Sequence, residues 1–458
     1  MEITQPVLSH KEAKFESSEL FFSITDLDST IRSGNEVFIR ISGYDKQETI
    51  GRYHNIVRHP DMPRVVFKVL WDSLKRSQPI AGYVKNRTKS GEYYWVFAAL
   101  FPLPDRIVSI RVKPTSPLFE AIQEVYPILK EAESRGGMES SEMLINSLLN
   151  DLGYNNYEQF MADALLQELK GRQRSATSLC ALDSERVEAH SMIKQLKPIL
   201  AHTNTLMQTY DKWFEKIDMF VQVKSVFEEK SLILRQIARE VVFLSLNASV
   251  SSYRIERGGE TFGILARDVR TNAKENDELI AQIDLVAKEL SDSLNALVFS
   301  VSGIRLQCEM LAYFVEELLC EHSNNENVEI ERNMETLIML VTEYSHKSDE
   351  LQIGIERKLQ ESLKHLDQLE KQMMYLGYIQ IYGIIEAAGS SNEQVSFEGI
   401  FSQLKTLIQK TSVEIAVMQK MGGNFYMENR RLMEESNGIE TLLHSLYHEI
   451  ECIKQMQG

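Results

Sequence analysis

The spacing of apolar residues divides this chain into two regions. Beyond Pro198, the last of ten prolines, apolar residues recur at helical spacing, as in Leu279, Ile283, Val286 and Leu290. Helix-breaking clusters interrupt this pattern only near 256–260, 323–326 and 389–392. The breaks leave four segments of about 60 residues, or about 90 Å each if helical. We therefore predict that 189–458 forms long helical hairpins, an all-α antiparallel four-helix bundle with tips near 257 and 391.

The N-terminal part of the chain carries the shorter pattern of β-strands. Strands are predicted at 22–26, 81–86, 93–102 and 107–113. Turn residues at Lys89–Gly91 join two of these strands as a hairpin. The predicted organisation is an N-terminal tail at 1–20, an α+β domain at 21–116, and a helical connector at 117–188 that breaks at 135–137 and turns at 153–156.

A small polar motif lies before one predicted helix. Prolines flank Asp61, which we expect to cap that helix and so to hold Arg58 and His59 at its start. Phe67 and Trp71 then share one apolar face of the helix. An aromatic wall beside fixed cationic donors suits a planar cofactor that carries phosphates. Taken singly, Trp71 would more simply be core and Arg58 a surface ion pair.

As an ordered set, these residues resemble the flavin-binding PAS domain of bacterial aerotaxis, or energy-taxis, receptors. The resemblance covers about 22–112 and includes the runs 55–63 and 84–95. It implies a PAS fold that binds FAD, with heme as the alternative cofactor. The residues that the resemblance associates with flavin binding are Asn35, Arg58, His59, Asp61, Trp71 and Asn86. The last hairpin, at 103–106, is shorter than in the family.

A second resemblance lies at the first break of the helical region. Segments 237–254 and 262–270 resemble the signalling hairpin tip of methyl-accepting chemotaxis proteins. This implies that signalling proteins bind at the tip. The positions expected to contact a partner are Asn247, Arg254, Glu256, Arg257, Glu260 and Phe262. Glu256, Arg257 and Glu260 invert charges with which the family meets its coupling adaptor and histidine kinase, so we expect weak coupling to that kinase.

The sequences on either side of the third break are similar to those on either side of the first. Segments 375–388 and 397–405 resemble 243–252 and 262–270. If the second hairpin repeats the first, one chain builds the four-helix tip that chemoreceptors build from two. The alternative is that any two amphipathic hairpins share such a pattern. In either case the chain can still self-associate through the PAS domain or through exposed methionine and aromatic residues.

Composition narrows the choice of partner and compartment. A net charge of −16 argues against nucleic acid or an anionic membrane as the main partner. The four cysteines are scattered without a Cys-x-x-Cys motif, which suits a reducing cytoplasm. The N-terminus lacks the basic start and apolar core of a signal peptide. No uninterrupted apolar run reaches about 20 residues, so we expect a cytoplasmic protein without a membrane span.

Three further motifs admit other functions. Gly258–Phe262 is one residue from the GGEEF signature of diguanylate cyclases, but its neighbours are helical rather than α/β. Methionines at 373, 374, 418, 421 and 427 more often fill gaps in a core or interface than bind a cofactor. His444, His448 and Cys452 share one helical face, and His190, Cys320 and His322 are expected at the same end of the bundle, where together they could bind a metal ion. Solvated histidines and buried structural thiols are more common than such a site.

The sequence shows no nucleophile–base pair, phosphate-binding loop or dinucleotide fingerprint, so we predict no enzyme activity and no metal site. The prediction is a flavin-PAS sensor of oxygen or redox state that signals through the helical bundle to protein partners, in energy taxis or a related behaviour. The alternative is a non-catalytic adaptor or scaffold whose PAS domain is empty and serves for docking.

Overall fold

The computed structural model describes residues 8–172, 191–252, 259–320, 327–388 and 395–455, and it confirms the predicted fold class. An antiparallel five-stranded sheet is followed by long helices. The strands are β1 Phe21–Asp26, β2 Ile31–Gly34, β3 Ile80–Arg87, β4 Tyr93–Pro102 and β5 Arg106–Val112. They are arranged in the order β2-β1-β5-β4-β3.

The turn at Lys89–Gly91 closes β3 onto β4. Gly91 has a φ of +90°, which residues with a Cβ rarely adopt. Its N–H donates to the Thr88 carbonyl at 3.0 Å. The pairing then runs from Arg87 opposite Tyr93 to Ile80 opposite Leu100. Because successive strand residues face opposite sides of the sheet, this register decides which side chains of β3 and β4 line the interior.

Three short α-helices lie between β2 and β3 in the chain, α1 Glu36–Ser42, α2 Lys46–Thr49 and α3 Arg64–Lys75, and a 3-10 helix at His54–Val57 precedes α3. The expectation that Asp61 caps α3 is wrong. Pro63 occupies the N-cap position and has no side chain that can accept a hydrogen bond. The N–H of Val65 donates instead to the Glu133 carboxylate at 2.9 Å, so a residue distant in sequence stabilises the helix start.

The connector consists of α4 Pro117–Asp151 and α5 Tyr157–Gly171. Backbone angles at Gly136 and Gly137 are non-helical and kink α4, at the break that the sequence indicates. Glu168 of α5 is 1% exposed. Its carboxylate accepts hydrogen bonds from Thr115 N at 2.6 Å, Ser116 Oγ at 2.7 Å and Tyr83 Oη at 2.9 Å. This one side chain fixes the start of α4 against β3.

The remaining helices are α6 Ser191–Glu215, α7 Ile217–Ser252, α8 Gly259–Cys320, α9 Asn327–Ala388, α10 Val395–Glu435 and α11 Ile439–Gln455. The chain divides into two compact units. The sheet unit comprises Met1–Glu215, Asn295–Asp349 and Glu435–Gly458. The bundle unit comprises Lys216–Leu294 and Glu350–Glu434.

In the bundle unit, each helix contacts the next around a closed ring. Arg235 of α7 pairs with Asp284 of α8 at 2.9 Å, and Lys358 of α9 donates to Ser293 of α8 at 2.9 Å. Gln419 of α10 donates to Glu370 of α9 at 3.1 Å, and Lys230 of α7 pairs with Glu414 of α10 at 3.1 Å. Four helices of one chain therefore enclose a core in which α7 and α9 lie diagonally opposite.

Two phenylalanines meet at one end of the bundle unit. Phe262, near the start of α8, and Phe397, near the start of α10, have ring centroids 4.5 Å apart. A Cβ added to Gly383 of α9 would lie 2.3 Å from the Phe401 ring, so only glycine lets α9 approach α10 so closely. The helix ends that flank 253–258 and 389–394 thus lie at the same end of this unit.

In the sheet unit, α8 and α9 pack against the sheet. Phe22 of β1 contacts Phe314 with centroids 5.2 Å apart, and Phe101 of β4 contacts Tyr344 at 5.1 Å. Polar contacts border these rings, among them Ser33 Oγ to Asn333 Oδ1 at 2.6 Å. The sequence analysis did not anticipate this packing, because strand alternation identifies a buried face without identifying what covers it.

Among the described residues, one helix is long and apolar enough to cross a membrane, over Glu260–Leu319. Of its apolar 18-residue window, 89% is buried inside the protein.

Candidate functional site

A cavity of about 250 Å³ lies between the sheet and α3. Phe67, Trp71 and Leu74 of α3 form part of its wall, as their helical spacing predicts. The strands contribute a polar lining from their inward-facing positions. These polar residues are Ser23 and Thr25 of β1, Asn86 of β3, and Ser109 and Arg111 of β5, together with His54 and Arg58 from the loop before α3.

One hydroxyl in this lining has no hydrogen-bond partner, and one guanidinium has no counterion among the described residues. The Ser109 side chain is 4% exposed, and its Oγ has no hydrogen-bond partner. Arg111 is also 4% exposed, and within the described part of the chain it forms no ion pair. Its guanidinium donates to Ser23 Oγ at 3.0 Å and lies 2.7 Å from His54 Nε2. A ligand with acceptor atoms would satisfy both residues.

Burial determines the protonation of this pair. Burial, with the adjacent Arg111 charge, lowers the pKa of His54 to about 3. Burial also lowers the pKa of Arg111, to about 10. At neutral pH His54 is therefore neutral and Arg111 charged, so the imidazole Nε2 can accept a hydrogen bond from the guanidinium. This pair therefore contributes one positive charge to the cavity lining.

Arg58 stands at the boundary between the cavity and a groove that opens outward. Its backbone bridges to Asn86 at the edge of β3, and its guanidinium lies 3.9 Å from the Phe67 ring centroid. Burial lowers the pKa of Arg58. The negative charge of Glu133 opposes this shift, and the positive charge of Arg64 adds to it. Because the guanidinium pKa remains far above neutral, Arg58 presents a charge held in one orientation.

The outer groove has a volume of about 650 Å³ and shares Asn55 and Arg58 with the cavity. Its cationic lining residues are Arg52, Arg58, Arg64, Arg87 and Lys130. The Arg87 Nε is buried without a hydrogen-bond partner. Such a cluster of cations, with one donor left unsatisfied, suits a phosphate-bearing ligand.

Three of the six residues predicted to bind a cofactor line the cavity: Arg58, Trp71 and Asn86. Asn35, His59 and Asp61 do not. The Asn35 amide instead accepts from Phe22 N at 3.1 Å and donates to the Leu20 carbonyl at 3.1 Å, which fixes the start of β1.

His59 and Asp61 form the turn that follows Arg58. The Asp61 N–H donates to His59 Nδ1 at 3.2 Å, and the Asp61 carboxylate accepts from Lys85 Nζ at 2.7 Å. Burial tends to raise the pKa of Asp61, but the contact with Lys85 lowers it overall. Burial, with Lys85 nearby, lowers the pKa of His59. These two residues position Arg58 rather than line the cavity.

Sequence reasoning missed Arg111, His54 and most of the outer groove. A usable signal existed for Arg111, since it alternates with Ile107 and Ser109 and so shares their inward face on an otherwise apolar strand. No local signal marks Lys130, which reaches the groove from α4. Its position depends on how the connector folds back.

The predicted partner surface is only partly covered by the described residues. Asn247 lines a groove of about 540 Å³ between α7 and α10, beside Phe243, Arg239 and Lys410. Glu260 is exposed at the start of α8. Phe262 is 2% exposed and packs on Phe397, so its side chain lies in the bundle core rather than on the surface. Arg254, Glu256 and Arg257 lie outside the described residues.

The histidine and cysteine positions show no metal centre within the described part of the chain, where no group of three or more His, Cys, Asp or Glu side chains could hold an ion. Cys452 Sγ and His448 Nε2 are 3.8 Å apart, which is a contact within one helix. His190 and His322 fall outside the described residues.

Comparison with known proteins supports the sensor domain directly. Residues 32–110 match the family described as PAS fold. The aerotaxis receptor of Escherichia coli (strain K12) is 37% identical over 131 residues, covering 28% of this chain and 26% of that protein. A nitrogen fixation regulatory protein of Klebsiella pneumoniae is 25% identical over 88 residues, 19% of this chain and 18% of that protein.

A third relative, the sensory transducer protein YfmS of Bacillus subtilis (strain 168), is 27% identical over 104 residues, covering 23% of this chain and 32% of that protein. The chain thus spans a third or less of each of these relatives. The predicted resemblance is confirmed: the N-terminal domain matches the PAS fold and is similar to the aerotaxis receptor, and the helical region that follows fits a chemoreceptor-like signalling region. These relatives are sensory and regulatory proteins.

Proposed function

We propose that this chain is a flavin-binding PAS sensor of oxygen or redox state, which signals to protein partners through its helical bundle. The observation that carries the proposal is the junction at Arg58 of an aromatic-walled cavity with a cationic groove. The cavity volume lies below the range of about 300–1,000 Å³ typical of sites for drug-sized ligands. It can therefore enclose only part of a dinucleotide, and the groove would hold the remainder.

The residues divide between the two parts of FAD. Trp71 and Phe67 would hold the flat ring, while Ser109, Asn86 and Arg111 would hydrogen-bond to its polar edge. Arg58, Arg52 and the other groove cations would hold the diphosphate. When bound, the flavin supplies an electron acceptor whose charge and hydrogen bonding change on reduction. The buried Arg111 charge would favour whichever state carries more negative charge at that edge.

A change at the cavity can reach the helices of the sheet unit through single strands. On β1, Ser23 lines the cavity whereas the preceding Phe22 contacts Phe314 of α8. On β4, Leu100 lines the cavity and Phe101 contacts Tyr344 of α9. Because neighbouring strand residues face opposite sides, a shift of either strand at the cavity moves an aromatic ring against a helix. Two packings of these rings would be the states that the sensor selects.

The partner would bind at the tip of the bundle unit and contact Asn247 in the groove between α7 and α10. Arg239 and Lys410 border this groove and Phe243 is 66% exposed, a combination suited to an apolar partner surface edged with acidic groups. Glu256, Arg257 and Glu260 invert the charges with which chemoreceptors meet the chemotaxis kinase and its adaptor. The proposed partner is therefore a different signalling protein, in energy taxis or a related behaviour.

The cavity favours flavin over heme and over an empty docking domain. Heme needs an axial ligand such as histidine, but His54 Nε2 lies 2.7 Å from the Arg111 guanidinium and accepts its hydrogen bond. An empty pocket would leave the Ser109 hydroxyl unsatisfied and the Arg111 charge uncompensated, and both cost free energy.

Titration of cofactor-free full-length protein with FAD, FMN, riboflavin and heme tests the proposal. We expect FAD to bind most tightly, FMN less tightly and riboflavin weakest, because the outer groove would hold the phosphate-bearing part that riboflavin lacks. Tighter binding of heme than of FAD would exclude the flavin assignment. Failure of all four to bind would favour the docking module.

A further inference from the structure

One stretch of α9 is apolar on two opposite faces. Between Met373 and Ile385 the sequence contains no charged residue. One face, including Met373, Leu376 and Ile379, is buried in the bundle core. Six large apolar side chains on the other face are 52–66% exposed, and we call them the α9 stripe: Met374, Tyr375, Tyr378, Ile381, Tyr382 and Ile385. A helix that is apolar all round is normally buried all round.

The helical spacing makes these six residues one continuous surface. Their intervals of one, three, three, one and three residues keep them on one side of the helix over about three turns. The core of the bundle unit is already closed by four helices of one chain, so the α9 stripe is not needed to complete that core.

The surface is large enough for a specific interface. A fully exposed aromatic side chain offers about 150–250 Å², so at the observed exposure the six side chains present on the order of 600 Å² of mainly apolar area. Two such surfaces would bury about 1,200 Å², the lower limit of stable protein interfaces. A patch of this size on a single chain is commonly an interaction site.

Charges at the two ends of the α9 stripe indicate what covers it. Lys371, whose side chain is 71% exposed, lies one turn before Tyr375, and Glu386 lies one turn after Tyr382. If a second α9 packs antiparallel about a two-fold axis beside Tyr378, Lys371 of each copy faces Glu386 of the other, and Tyr375 faces Tyr382. A parallel pair would instead place Lys371 beside Lys371 and Glu386 beside Glu386. Opposite charges therefore meet at the ends of the α9 stripe only if the two helices pack antiparallel.

We infer that the α9 stripe is a homodimer interface in which two copies of this chain pack their α9 helices antiparallel through Tyr375, Tyr378 and Tyr382. The interface has an uncharged centre and two symmetric ion pairs at its ends. The Asn247 groove stays open, because α7 lies diagonally across the bundle from α9. The inference does not depend on the cofactor.

Light scattering of the full chain over a range of concentrations tests association. We expect a concentration-dependent dimer whose dissociation constant rises at least tenfold in Tyr378→Asp. The matched control is Ile353→Asp, since Ile353 is 60% exposed on the same helix in the same unit but lies outside the stripe; its dissociation constant should not change. Circular dichroism should show equal helicity in all three proteins. A wild-type chain that stays monomeric throughout the range would overturn the inference.

Charge exchange tests the antiparallel orientation and separates it from dimers formed through the PAS domain. Lys371→Glu and Glu386→Lys should each weaken the dimer several-fold at low salt, and the double exchange K371E/E386K should restore it. In addition, a cysteine in place of Tyr378 should cross-link two copies under mild oxidation, whereas a cysteine in place of Ile353 should not. A dimer that is indifferent to all these changes uses another surface, and the inference then fails.

Discussion

Replacement of Arg58 by alanine should weaken FAD binding strongly while leaving the protein folded. The Arg58 guanidinium is half-buried over Phe67 and lies where the cavity meets the cationic groove. Hydrogen bonds to a charged group contribute about 1.5–3 kcal/mol. At about 1.4 kcal/mol per tenfold in the dissociation constant, we expect Arg58→Ala to raise the Kd for FAD by about tenfold to 150-fold.

The same structure predicts a small effect on folding. Contact of Arg58 with Phe67 stabilises the folded state by about 0.5–2 kcal/mol. Burial of the guanidinium opposes this, as the lowered pKa of Arg58 indicates. We therefore expect the free energy of unfolding of the cofactor-free protein to change by no more than about 1 kcal/mol.

Fluorescence titration with FAD and riboflavin is the assay. Arg58→Ala should weaken FAD binding more than riboflavin binding, because riboflavin lacks the phosphates. Arg52→Ala and Arg64→Ala are matched controls from the same groove. Both arginines are exposed, and a screened surface charge contributes about 0.2–1 kcal/mol, so each should raise the Kd by no more than about fivefold. An unchanged Kd for FAD in Arg58→Ala, or an equal loss for both ligands, would refute the placement of the phosphates.

Three further predictions follow from the pocket and its surroundings. Unfolded His54 takes up a proton near its usual pKa of 6.5, whereas folded His54 does so only near pH 3. The free energy of unfolding should therefore fall by about 1.4 kcal/mol between about pH 7.5 and 5.5. Urea unfolding measures this change, and His54→Gln should show a shallower pH dependence. Glu168→Ala should destabilise the sheet unit by about 2–4 kcal/mol, because the buried donors of Ser116 and Tyr83 lose their acceptor; unchanged thermal unfolding would contradict this. In a reconstituted assay the chain should not strongly stimulate the chemotaxis histidine kinase, and stimulation equal to that by an ordinary chemoreceptor would refute the argument from Glu256, Arg257 and Glu260.

The long-period features of the fold are readable from sequence. A sustained helical pattern without proline specifies α7 to α10, and strand-length patterns with turn residues at Lys89–Gly91 specify the main hairpin. The identity of single residues predicted helix ends less well. Asp61 has the composition of a helix cap, but the contact of Glu133 with Val65 replaces that role, and Glu133 is distant in sequence.

The candidate site was predictable where its residues belong to the stretch that resembles PAS domains. The structure places Arg58, Trp71 and Asn86 of that stretch at the cavity. Lys130 and Arg111 arrive from other elements, so their presence depends on tertiary packing. Asn35 and Phe262 also sit in motifs that suggest binding. In the structure both are buried, Asn35 in contact with Leu20 and Phe262 in contact with Phe397.

The absorbance spectrum of the purified full-length chain, with chemical identification of any cofactor it releases, decides whether the PAS domain holds FAD. We expect the spectrum of an enclosed flavin that bleaches on reduction, and the release of FAD in a ratio approaching one per chain. A colourless protein that takes up no added FAD, or one that carries heme, would contradict it.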